Sequence, residues 1–139
     1  MNNEPNWQPI SMLPIVSESV DGMLSATEDQ LVNLRAAQAK PHVMDDHTLN
    51  RVAKVYNEQL EHIELFEKQL YRWQKENLTA DQATEVSRLL KQSIQLKAAT
   101  QAVLEMAQSM GHKTIDKIMA MDEFELLEGI ASGRIKPPM

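Results

Sequence analysis

The sequence predicts an all-α protein, an antiparallel bundle of three long helices closed at one end by two short C-terminal helices. Three observations lead there. The stretch from Val43 to Lys136 contains no proline, the six prolines standing at positions 5, 9, 14, 41, 137 and 138. Proline is the strongest helix breaker, so its confinement to the flanks leaves long segments free to coil. Leu, Ala, Gln, Glu, Lys and Met, which lose little rotamer freedom in a helix, dominate that stretch, and the β-branched residues do not alternate with polar ones as a strand requires. Finally, apolar residues recur at alternating spacings of three and four over long windows, the signature of one helical face. With 139 residues, 42% of them hydrophobic and 24% charged, the chain has the material for a single domain with a real core.

The first 13 residues read as an ordered lead-in. Pro5 and Pro9 remove backbone donors, and Trp7 offers a large apolar anchor expected to dock on the bundle. The first helix is predicted over 14–40. Pro14 suits a first turn, and Leu13, Val16, Val20, Met23, Leu24, Leu31 and Leu34 define a face whose one gap is Thr27. Gly22 is its weak point, and Pro41 ends it.

The second helix, predicted over 46–76, follows a cap at Asp45 or Asp46. Leu49, Val52, Tyr56, Gln59, Ile63, Phe66, Leu70 and Trp73 form a coiled-coil-like seam in which Gln59 is the one polar member. A short connection at Glu76–Leu78 leads to Thr79, which makes a capping box with Gln82 and opens a third helix predicted over 79–110. So short a loop makes the two helices antiparallel neighbours.

Helix three carries Leu89, Leu96, Val103 and Met110 seven apart, flanked by Val86, Leu90, Ile94, Ala99, Leu104, Met106 and Ala107. Its apolar arc is wider than a single seam, so it must meet more than one neighbour, and that breadth argues for a homodimer. Ser93 and Thr100 are small polar residues within the arc, suited to bonding back to helix carbonyls or to admitting a close neighbour. Gly111 is the expected stop. Over 114–131, Ile115, Ile118, Met119, Phe124 and Leu127 fit two short helices plugging one end, with 132–139 a tail.

Composition limits function. A net charge of −6 disfavours a phosphate backbone as partner, and the absence of cysteine removes disulfides and thiolate metal sites. Glu4, Pro5 and Pro9 stand where a signal peptide would carry basic and then apolar residues, and no apolar run reaches membrane-spanning length, so a cytoplasmic location without membrane insertion is expected.

The densest group of metal-capable residues is His42, Asp45, Asp46 and His47, from which a divalent ion could in principle be held. Between Pro41 and the second helix, however, the two acids already serve as N-cap candidates. Glu58, Glu61, His62 and Glu64 offer no better set, because Gln59 replaces the Glu that a Glu-x-x-His motif places three residues before His62, and helix three has no histidine to complete the pair. There is no Gly-rich phosphate cradle and no Gly-x-Ser-x-Gly elbow. No catalytic residue and no cofactor is expected.

Leu65 and Tyr71 fall off the seam of helix two, and Arg88, Lys91 and Lys97 form a basic stripe on helix three. These five are the candidate partner surface. The leading expectation is a non-enzymatic helical interaction protein: an adaptor, small chaperone or assembly factor binding another protein through a helical face. Two alternatives remain open, a metal-dependent enzyme or metal sensor built on the His/Asp group and a regulator acting on nucleic acid, against which the charge counts.

Overall fold

The computed structural model describes residues 6–40 and 44–111. Three long helices carry it: α1 over Leu13–Gln38, α2 over Asp46–Gln74 and α3 over Ala80–Met110. A 3-10 turn, Ile10–Met12, precedes α1 and extends helical backbone a turn earlier than the sequence suggested. There the Met12 N–H donates to the Pro9 carbonyl at 2.9 Å. The predicted short helices over 114–131 lie outside the described residues, among which there is no strand.

The helix starts follow local chemistry. Asp45 caps α2, its Oδ1 accepting from the Thr48 N–H at 2.7 Å. The α3 capping box is reciprocal: Thr79 Oγ1 accepts from the Gln82 N–H at 3.2 Å, and Gln82 Oε1 accepts from the Thr79 N–H at 3.0 Å. Each bond satisfies a donor that the first turn of a helix leaves without an intrahelical partner. At the far end of α3, Gly111 has φ −59°, an ordinary right-handed conformation rather than the left-handed one a glycine stop often adopts. Its N–H is shared between the carbonyls of Ala107 and Gln108, so the last turn tightens without needing positive φ.

Residues distant in sequence are sorted into two apolar clusters. Leu13, Val16, Val20 and Leu24 of α1 meet Ile63, Leu70 and Trp73 of α2 and Val86, Leu89 and Leu96 of α3. Leu31 and Leu34 meet Leu49, Val103, Ala107 and Met110. This pairing makes α2 antiparallel to both α1 and α3, the up-down-up order predicted. α3 packs closely along both neighbours, whereas α1 and α2 stay farther apart. The broad arc of α3 is therefore met on two sides within one chain, by α1 and α2, while Ile94 of the same arc stays 68% exposed. Small residues allow the close approach: Ser93 and Thr100 are buried, each donating its hydroxyl to the carbonyl four residues back, Leu89 at 2.8 Å and Leu96 at 2.7 Å.

Between the clusters lies a polar layer made of the gaps in the three apolar patterns. Gln59 Nε2 donates to Thr27 Oγ1 at 2.9 Å and to Thr100 Oγ1 at 2.8 Å, so one amide ties all three helices together. Thr27 in turn donates to the Met23 carbonyl at 2.6 Å. Both threonines are fully buried, and each hydroxyl is satisfied as donor and as acceptor.

Gly22 sits exposed in α1 with nothing within 4 Å of where a Cβ would stand. Gly22→Ala is expected to stabilise the protein by about 0.5–1 kcal/mol, because alanine loses less backbone freedom on forming a helix. A urea midpoint that falls in the variant would contradict this.

Candidate interaction surface

The lead-in reaches the C-terminal end of α2 as an extended strap. Pro9 has φ −69° and ψ 157°. Two α2 side chains one turn apart hold the backbone of Gln8: its N–H donates to Gln69 Oε1 at 2.7 Å, and its carbonyl accepts from the Trp73 indole N–H at 2.9 Å. The Arg72 guanidinium lies 4.8 Å from the centre of the Trp7 ring, a cation–π distance. Trp7 thus docks on the bundle as its size suggested.

Beside the strap opens a cleft of about 320 Å³ lined by Trp7, Val16, Leu65, Phe66 and Gln69 together with Asn6 and Gln8. Gln69 is only 6% exposed, and its Nε2 is buried without a hydrogen-bond partner. Leu65, 45% exposed, forms part of this rim. Tyr71 is 52% exposed and is not among the cleft's lining residues. Six residues along a helix set it about 120° around the axis from Leu65, so the two do not share one stripe. Gln69, Arg72 and the Gln8 backbone had no sequence signal of their own. A glutamine off an apolar seam reads as solvated until the strap is seen to cover it.

The basic stripe divides. Arg88 is engaged within the chain: its guanidinium makes a two-pronged contact with the Asp21 carboxylate, at 3.1 and 3.0 Å, and donates to Glu85 Oε1 at 2.9 and 2.6 Å. Ser17 donates to the same Glu85 oxygen at 3.0 Å, and Gln92 donates to Asp21 at 3.0 Å. The group joins α1 to α3 along a solvent edge. Lys91 is exposed beside Arg88, and Lys97 is half-buried on the same helix.

Hydrogen bonding from Arg88, helped by Ser17, holds the Glu85 carboxyl below its ordinary range. A carboxyl whose pKa is lower folded than unfolded adds stability above its unfolded pKa, and that contribution disappears as pH falls through the folded value. Arg88→Met is accordingly expected to flatten the acid limb of stability against pH below the ordinary glutamate range, with little change near neutrality in this exposed setting. Urea midpoints of both proteins across pH 2–7 test it. An unchanged acid limb would remove Glu85 as its source.

Of the proposed metal group, His42 lies outside the described residues. Asp45 is engaged as the α2 cap, and its carboxyl is held below its ordinary range by hydrogen bonding from Thr48, with a smaller pull from His47. Among the described residues, no three His, Asp or Glu side chains converge as a metal site needs. Glu58, Glu61, His62 and Glu64 are all exposed along α2. No helix among the described residues is long and apolar enough to cross a membrane. Comparison with known proteins finds no matching family model, no matching curated protein and no matching solved structure.

Proposed function

We propose that the chain is a non-enzymatic helical interaction protein, an adaptor, small chaperone or assembly factor, which binds another protein at the strap end of α2. The observation carrying this reading is the apolar cleft between Trp7, Val16, Leu65 and Phe66, a recess shaped for a side chain and bordered by an exposed leucine.

In the same reading the 114–131 segment forms the two short helices expected from its pattern. The location is cytoplasmic.

Affinity purification from the native host, run in parallel with wild type, Leu65→Glu and Lys91→Glu, tests the reading. A specific protein is expected with wild type and Lys91→Glu but not with Leu65→Glu, whose substitution at an exposed position leaves the helical spectrum intact. Loss with Lys91→Glu alone would move the contact to the basic edge of α3. Equal recovery with all three would remove both surfaces from the account.

A further inference from the structure

We propose that the C-terminal end of α2 is a reading site for an extended peptide segment of a partner protein, occupied in the free chain by its own residues 6–9 as a displaceable strap. The proposal rests on the interaction-protein reading and identifies the chemistry of the partner. What Gln69 and Trp73 recognise is backbone: one side chain takes the N–H of a single residue and the other takes its carbonyl, at 2.7 and 2.9 Å. Any residue but proline satisfies that pair, so the site is not specific to Gln8.

Side-chain selectivity comes from the flanks. The preceding aromatic ring lies against Arg72, and the following proline fixes an extended backbone and restrains the residue before it to the same region. The segment recognised is therefore aromatic, any residue with a free N–H, then proline, in extended conformation. It also carries an apolar side chain for the neighbouring cleft.

Two features mark the strap as a replaceable occupant. Gln69 Nε2 is left buried without an acceptor while the other end of the same amide is fully used, so the fit in cis is incomplete. The cleft beside it, lined by Val16, Leu65 and Phe66, is filled by none of the described residues. A segment bringing a carbonyl to Nε2 and an apolar group to the cleft improves on the strap at both points. Departure of residues 6–9 gives up the Met12 N–H bond to the Pro9 carbonyl but not the packing of Ile10 and Met12 against the cluster that holds Val20 and Trp73.

The test uses a fluorescent peptide of residues 1–12 added to the full chain and followed by anisotropy. Trp7→Ala in the chain weakens the competing strap, and the peptide is expected to bind it at least about tenfold more tightly than it binds wild type. Gln8→Pro in the chain, which removes the N–H given to Gln69 without touching a helix, should act in the same direction and serves if Trp7→Ala fails to fold. Adding Gln69→Leu to either variant is expected to abolish binding, as is Gln8→Pro in the peptide. Equal affinity for wild type and both strap variants, or undiminished binding of the Gln8→Pro peptide, overturns the proposal.

Light scattering asks whether a second copy is the occupant. A dimer of wild type that the peptide dissociates would assign the site to strap exchange between copies and overturn the partner-protein assignment. A protein captured by wild type should be released by the peptide. If capture requires Leu65 but is indifferent to the peptide, the interaction reading stands and the strap proposal fails.

Discussion

Trp73→Ala is expected to destabilise the protein by about 3–5 kcal/mol, the range for removing a large aromatic from a packed interior. Trp73 is fully buried in the cluster it shares with Val20 and Leu89, where α1, α2 and α3 converge. Removing the indole opens a cavity lined by elements anchored elsewhere, so collapse is limited. It also leaves the Gln8 carbonyl without its donor, loosening the strap. Set against a typical total stability of about 5–15 kcal/mol, such a loss leaves a chain of this size marginal or partly unfolded at ambient temperature.

Trp73→Phe separates the two contributions, keeping most of the packing while deleting the N–H, and should cost about 1–2 kcal/mol. It also leaves Trp7 as the chain's one tryptophan, so its emission reports directly on whether the strap remains docked. Urea denaturation followed by far-UV circular dichroism measures both variants. A Trp73→Ala loss below about 1 kcal/mol would mean that the indole is not the keystone its burial indicates.

How much of this was legible in the sequence depended on whether a signal was periodic or spatial. The three long helices, their order and the reciprocal cap at Thr79 were readable because hydrophobic spacing and capping chemistry are local. The breadth of the apolar arc of α3 signals more than one neighbour. Its second neighbour proved to be α1 of the same chain, a distinction that no single helix's pattern contains. Gln69 and Arg88 show the opposite limit. Each is a polar residue on a helix flank, and only the fold reveals that one holds the strap while the other is committed to Asp21 and Glu85. The interruptions at Thr27, Gln59 and Thr100 looked like three separate imperfections. Assembled, they are one hydrogen-bonded layer.

That layer is the site of the second large effect. Gln59→Ala is expected to cost about 2 kcal/mol, since it removes two interhelical hydrogen bonds and the packing of the side-chain stem. Both threonine hydroxyls keep their bonds to the Met23 and Leu96 carbonyls, which prevents a larger penalty. Gln59→Leu restores the packing and should lie within about 1 kcal/mol of wild type. The triple replacement Thr27→Val, Gln59→Leu, Thr100→Val removes every polar group of the layer together and is expected to equal or exceed wild-type stability, as apolar substitution of buried polar sets often does.

The consequence of that triple change should appear in alignment instead. With the layer in place, any slip of one helix past another strands a buried amide or hydroxyl between the two apolar clusters. With it gone, the seam of α2 is apolar from Leu49 to Trp73 and no longer distinguishes one register from the next. The triple variant should therefore show duplicated or broadened amide resonances by NMR at undiminished urea resistance. A single sharp set of resonances would show that side-chain shape alone fixes the register. A triple variant less stable than Gln59→Ala would show that the layer contributes stability rather than alignment.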